Sequence, residues 1–468
     1  MAAQGSTAAN PLVRVDVAEI IAARRLGRFH LELTGLCVLA MLVVGYNTQV
    51  VTSAAPAIAR ALGLRTAGPL DAVALSGGLG TVLGAIAVSM AADWVGRKPV
   101  ILGALLLMTI CTIATAFTHS VSELLAIRFV TGWGLGAVMP ATLALTAELV
   151  PRRNKITLTM IVWLGLIIGA GLAGPVTANL VTPPRSWAAA FIFGGLLPLI
   201  LVPVLWTAMP ESILVLTRRG EPAAPVIRAT LIRISRRYDF LRTTDFVSSE
   251  RVERGFPLLL LFREGRTPLT LLLWVAFGAN FMALSFLSGW LPAALRDLRF
   301  APSTVVLVSA LTQMAGIAGA FAAASLAGMV NRFAVLAGAW LLGALALIVV
   351  AIGGGDPSIA GGGLMLAGFF VIGAQAVAIA IAASAYPTPV RATGLGWALG
   401  AGLLGQAIAP FVSGELAAMR WSAGQVFIIA ALLAVLAAGA AAALAILRRD
   451  PGLERAVVDE TSEERAVP

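Results

Sequence analysis

Long apolar runs broken by short charged clusters dominate the pattern along this chain. They cover about 31–58, 72–92, 99–118, 122–147, 157–181 and 187–209, then about 268–292, 303–329, 334–352, 360–385, 392–418 and 422–447. At 1.5 Å rise per residue, roughly 20 such positions cross a hydrocarbon core of roughly 30 Å. Each run therefore predicts a transmembrane helix, and the longest predict tilt or extension beyond the core. The expected organisation is an N-terminal tail (1–30), a six-helix half (31–209), a linker loop (210–267), a second six-helix half (268–447) and a C-terminal tail (448–468). Barrel strands alternate in polarity instead of staying apolar for so long, so the fold class is an all-α membrane protein.

Composition agrees. Of 468 residues, 59% are hydrophobic and 12% charged, so lipid is the main solvent, and the 48 Gly spread through the runs suit helices that pack backbone to backbone. The net charge of +10 does not point to nucleic acid, because the basic residues fall in short loops rather than on one face. About 26 of the 33 Lys and Arg lie in the tails and the even-to-odd loops and about six in the opposite loops, which predicts cytoplasmic termini. The expected location is the bacterial inner (plasma) membrane. The first 28 residues contain Arg14, Asp16, Glu19, Arg24, Arg25 and Arg28 without an uninterrupted apolar core, so they read as a tail and not a cleavable leader. In the linker, "LIRISRRYDF" allows a short amphipathic helix under the bundle.

Function classes narrow quickly. Cys37 and Cys111 sit inside apolar runs, giving neither a disulfide framework nor a metal site. There is no HExxH motif, no phosphate-cradling Gly loop and no Ser-His-Asp or Cys-His set, so no enzyme, no cofactor and no ATP-driven pump is expected. What remains is gradient-driven passage of a small molecule, with a monomer as the expected working unit and lipid and the substrate as its partners.

Between the second and third runs stands "AADWVGRKPVIL". Asp93, Gly96, Arg97 and Lys98 place opposite charges at the rim, where pairing with helix ends and neighbouring charges latches one gate state. The segment resembles the signature of the major facilitator superfamily and stands where that family carries it. In the second half "LAGMVNRFAV" looks like a worn copy, with Asn331 and Arg332 at the matching places. "AELVPRRNKIT" and "AYPTPVRATG" look like equivalent turns, each with a Pro and a base, and add Arg152 and Arg391 to the gating set. Such a repeat predicts a substrate site near the membrane midplane.

A narrower resemblance, to the aromatic acid:proton symporter branch, covers almost the whole chain. "RFVTGWGLGAVMPATLALTAELVPRR" is similar to that branch's fourth helix and retains Arg128 and Glu148; "MPESILVLTRRGEP" is similar to its exit from helix six. "LFREGRTPLTLLLWVAFGANFMALSFLSGWLP" resembles its helix seven, with Asn280 and Trp290, and "YPTPVRATGLGWALGAG" its entry to helix eleven. The resemblance implies uptake of an aromatic carboxylate such as benzoate or 4-hydroxybenzoate with a proton. Two departures stand out. Val44, Gly45, Tyr46 and Asn47 replace the branch's Asp-Gly-Tyr/Phe-Asp, removing both expected proton carriers; Gly402, Leu403, Leu404 and Gly405 replace its Gly-Arg-Ile/Leu-Gly, removing an intramembrane Arg.

An Arg near mid-bilayer costs roughly 2.5–3.5 kcal/mol on insertion scales, so Arg128 either faces a cavity and holds a substrate carboxylate or snorkels to the outer headgroups. Glu148 either forms a rim salt bridge with Arg152 and Arg153, or carries a proton or latches the gate. Tyr46, Asn47, Trp163, Asn280, Gln313, Gln375 and Trp397 are the remaining candidates for lining the path, with structural pairing across helices as the alternative for each amide. The competing readings are a facilitator or exporter of a neutral or amphipathic compound, which the lost charges would suit, and a non-transporting membrane sensor of the same fold.

Overall fold

The computed structural model describes residues 13–64, 68–181, 186–217, 221–234, 244–247, 257–297, 299–353 and 356–447. The C-terminal tail with Arg448 and Arg449, the first twelve residues, and Arg218, Arg219 and the 235–240 end of the linker's amphipathic stretch lie outside the described residues.

Twelve helices among the described residues are long and apolar enough to span a bilayer. They are α1 (Arg28–Ala61), α2 (Pro69–Val95), α3 (Arg97–Thr115), α4 (Val121–Leu149), α5 (Arg152–Leu180), α6 (Ala188–Ala208), α7 (Thr267–Arg296), α8 (Leu307–Ala327), α9 (Arg332–Gly353), α10 (Pro357–Ala385), α11 (Thr388–Leu416) and α12 (Ala423–Leu447). Each coincides with one apolar run of the sequence. Their ends follow capping chemistry. Before α4, the Ser120 hydroxyl accepts from the Glu123 backbone N–H (3.3 Å) while the Glu123 carboxylate accepts from the His119 backbone N–H (2.8 Å). Before α10, Asp356 accepts from the Ser358 N–H (2.7 Å) and Pro357 opens the first turn. Single π-turns interrupt α2 at Gly84–Val88 and α10 at Gly368–Ile372.

The chain forms two compact units, Met1–Leu260 with Ala383–Gly396, and Leu261–Ala382 with Trp397–Pro468. In the first, α1 packs along α5, α2 along α4, and α3 against α4 and α6. Small residues make these approaches possible: a Cβ on Gly136 of α4 would lie 2.6 Å from the Ala85 backbone nitrogen of α2. The last turn of α10 and the first turns of α11 belong to this unit. Two short strands, β1 (Val13–Asp16) and β2 (Thr244–Val247), pair in parallel outside the spans, and a helix at Ala224–Ile234 buries Ile227 and Leu231. That helix begins ahead of the stretch from which the sequence suggested it, and its Arg233 lies 5.3 Å over the Phe29 ring and 3.6 Å from Glu32 of α1.

In the second unit, α12 packs against α7 and α9, and α8 against α10. Its core gathers Phe286, Leu347, Leu364 and Phe427, all fully buried.

Candidate functional site

Within the first unit a charge cluster forms where the α2–α3 turn, the end of α4 and the start of α11 meet. The sequence builds it from a helix end and a helix start. Asp93 falls in the last turn of α2, and Gly96 then takes φ +119°, a conformation that L side chains rarely adopt, to turn the chain into α3. The turn sets Arg97 beneath its own helix end. Its Nη2 donates to Asp93 Oδ1 (2.8 Å), to Glu148 Oε1 (2.8 Å) and to the Thr388 carbonyl (3.0 Å), and its Nη1 donates to the Ala92 carbonyl (3.0 Å). The side chains of Asp93, Arg97 and Glu148 are wholly shielded from solvent.

Asp93 does a second job. Its carboxylate accepts from the backbone N–H groups of Ala392 (3.3 Å) and Thr393 (2.9 Å) and from the Thr393 hydroxyl (2.7 Å). Those N–H groups belong to the first turn of α11, which has no acidic residue of its own there. An acid from α2 thus supplies the negative charge that a helix N-terminus favours. Arg391, in the same turn, lies 3.5 Å from Glu148 Oε1 and donates from Nε to the Tyr386 carbonyl (3.2 Å). Glu148 also accepts from the Ser212 hydroxyl. The neighbouring Glu211 caps α3, accepting from the backbone N–H of Arg97 (2.9 Å) and Lys98 (3.3 Å), and its carboxylate occupies the space a side chain on Gly96 would need. A pair of buried acids and a pair of buried bases are thereby cross-linked, which is what makes burial tolerable: an unpartnered member would cost several kcal/mol.

Deeper in the same unit Arg128 of α4 is buried, with 3% of its surface exposed. Its guanidinium carbon lies 4.7 Å from the centroid of the Phe191 ring of α6, and its Nε and Nη2 are buried without a hydrogen-bond partner. Asn47 and Tyr46 of α1 stand in a different relation to their surroundings. Asn47 donates to the Val43 and Gly194 carbonyls (both 3.0 Å) and accepts from the Thr112 hydroxyl (3.1 Å), tying α1 to α3 and α6. The Tyr46 hydroxyl donates to the Ala190 carbonyl (3.1 Å), and its ring meets Phe193 edge-on.

In the second unit Trp274 of α7 and Trp397 of α11 stack at 5.2 Å and 18°, with Phe262 edge-on to Trp274, and both indole N–H groups are buried without a partner. Asn280 of α7 donates through Nδ2 to Gln375 Oε1 of α10, and both residues are buried.

The sequence model of the Major Facilitator Superfamily matches residues 37–374. The chain belongs to the major facilitator superfamily. It is 33% identical to a gallate transporter of Pseudomonas putida, over 92% of this chain and 94% of the relative. It is 32% identical to the 4-hydroxybenzoate transporter PcaK of Pseudomonas aeruginosa (91% and 95%) and 31% identical to the 3-(3-hydroxy-phenyl)propionate transporter of Escherichia coli (89% and 94%). These similarities agree with the resemblance to the aromatic-acid branch. Among solved structures, the proton:xylose symporter XylE matches with a TM-score of 0.70 at 16% identity, covering 90% of this chain and 96% of XylE, which shows the shared fold.

The superfamily signature is thus part of a cluster larger than the sequence suggested. Of the gating candidates, Asp93, Gly96, Arg97, Lys98 and Arg391 come together there, and Glu148 joins them. Arg152 does not; it opens α5 on an exposed surface, and the partners of Glu148 are Arg97 and Arg391 in place of the adjacent bases. Of the path candidates, Arg128, Tyr46, Asn47, Trp163, Asn280 and Gln375 are buried, Trp397 is partly buried, and Gln313 lies on an exposed face of α8. Sequence reasoning missed Glu211, Ser212 and Thr393. All three stand inside quoted motifs, "MPES" and "YPTPVRATG", whose Glu, Ser and Thr were the available signal.

Proposed function

We propose that this transporter takes up a small aromatic carboxylate by alternating access together with a proton, working as a lipid-embedded monomer of the bacterial inner membrane with both termini cytoplasmic. The observation that carries the reading is Arg128, a buried guanidinium with two unspent donor nitrogens and an aromatic face beside it. A planar fork of donors is matched to a carboxylate, and bidentate charged hydrogen bonds are among the strongest a site offers. Gallate, 4-hydroxybenzoate and 3-(3-hydroxyphenyl)propionate, the named cargoes of the relatives, all pair one carboxylate with one ring, which supports the same class here.

The gate is the cluster around Arg97. Asp93 and Glu148 are the buried carboxylates among the described residues. Of the two, Glu148 pairs with both Arg97 and Arg391, and it is the proton carrier of this reading: it takes up a proton as those pairs separate and gives it back as they re-form. A second reading, passage without a proton, is favoured by one observation, the uncharged and fully engaged Asn47 of α1.

Uptake of labelled benzoate and 4-hydroxybenzoate into proteoliposomes, with an inward proton gradient imposed and then collapsed by an uncoupler, tests both. Gradient-dependent accumulation is expected, and uptake indifferent to the uncoupler selects the second reading. Arg128→Gln is expected to raise KM for these anions about 100-fold, with Arg128→Lys intermediate. An unchanged KM in Arg128→Gln would remove the carboxylate anchor.

A further inference from the structure

The amide pair in the second unit is incompletely satisfied in a way that specifies a ligand group. Asn280 and Gln375 spend one donor and one acceptor on each other, and Asn280 Oδ1 and Gln375 Nε2 are then buried without a partner. Asn280 is 0% and Gln375 3% exposed, so bulk water does not reach them in this conformer. A buried polar group left unmade is costly and calls for an explanation. Turning both amides over exchanges which residue carries which atom, yet one donor and one acceptor of the pair are still left without a partner.

Only some groups complement that combination. A carboxylate accepts from the amide N–H but has no proton for the amide oxygen and sets its charge against it. An ammonium or guanidinium donates but offers no lone pair to the N–H. A hydroxyl does both with one oxygen, giving its proton to the acceptor and taking a hydrogen bond from the donor. We propose that the Asn280–Gln375 pair reads a ring hydroxyl, and so sets the preference of this transporter for phenolic over unsubstituted aromatic carboxylates. The proposal rests on the aromatic-carboxylate reading given above. In an alternating-access carrier, the pair becomes reachable when the substrate path opens. A site built to hydrogen-bond a hydroxyl rejects the analogue that lacks it, because its own polar groups are then left unpaired.

The full-length protein in proteoliposomes gives the test, with kcat/KM measured for 4-hydroxybenzoate and for benzoate. The wild type is expected to favour 4-hydroxybenzoate. Asn280→Val and, independently, Gln375→Met are each expected to lower that ratio about tenfold, the size of one lost hydrogen bond in a closed site. Two separate variants, each checked for monodisperse elution, guard against one that fails to fold. A ratio that stays at the wild-type value, or an equal loss of both acids, assigns the pair to structure or to a trapped water and overturns the proposal alone. If the wild type carries neither acid, the parent reading fails and this one with it.

Discussion

Asn47 and Arg128 show how differently two polar residues can stand in the same helical unit. The Asn47 amide has both N–H donors and its carbonyl engaged, to Val43, Gly194 and Thr112, so it acts as a strut between α1, α3 and α6. Hydrogen bonds between membrane helices contribute about 0.6–2 kcal/mol each, and two of them, to Gly194 and Thr112, meet at this side chain. Asn47→Leu is therefore expected to lower the thermal unfolding temperature in detergent, measured by intrinsic fluorescence. An unchanged melting curve with a raised KM would instead return Asn47 to the substrate path. Nothing in the sequence around Asn47 separates strut from ligand, since two of its partners are backbone carbonyls with no residue signature and the third, Thr112, lies on another helix. Arg128 was legible as an exception, because a charge inside an apolar run has few explanations; its burial over Phe191 was not, because Phe191 lies on another helix.

Helix ends carry the charge cluster proposed as the gate. Three carboxylates from elsewhere in the chain cover two helix starts and one buried base: Glu211 on α3, Asp93 on α11 and Glu148 on Arg97. Gly96 is the joint on which the first depends, with φ +119° and the Glu211 carboxylate lying where a Cβ would go. Gly96→Ala strains the backbone and pushes Glu211 off the α3 N-terminus, whereas Glu211→Ala removes the cap alone, worth about 1 kcal/mol with its charge contribution. Because both act through one contact, the double variant is expected to be less destabilised than the two singles added together, by a thermal-stability cycle in detergent. Strict additivity would show that Glu211 does not depend on the Gly96 turn. At this scale the sequence revealed the twelve helices, because spanning lipid demands about 20 apolar residues and leaves no other way to place the backbone. It also revealed the acid and base of the α2–α3 turn. The other half of that contact stands 300 positions away and consists largely of backbone N–H groups, which leave no trace in side-chain identity.

For the molecule as a whole, the segment Ala383–Gly396 matters most, since it belongs to the first compact unit while its flanking helices continue in the second. Under the gate proposed above this segment is let go and taken back in each cycle, and Asp93 holds it by two backbone N–H groups and a hydroxyl while pairing with Arg97. Asparagine at 93 keeps the size but loses the charge and one acceptor oxygen, and presents an N–H₂ to groups that are themselves donors. Hydrogen bonds to a charged acceptor contribute about 1.5–3 kcal/mol, so losing the equivalent of one moves a two-state balance by roughly ten- to a hundredfold. Ser89 reports on that balance: it is fully buried, and its side chain packs against the Gly396 position, so it is reachable only when the segment leaves. In a background with Cys37 and Cys111 replaced by Ala, Ser89→Cys is expected to react slowly with N-ethylmaleimide in detergent. Adding Asp93→Asn is expected to speed that reaction at least about tenfold while uptake in proteoliposomes falls to near background. Faster labelling with intact uptake would mean that the segment opens without limiting turnover. An unchanged labelling rate would mean that the carboxylate of Asp93 does not hold it.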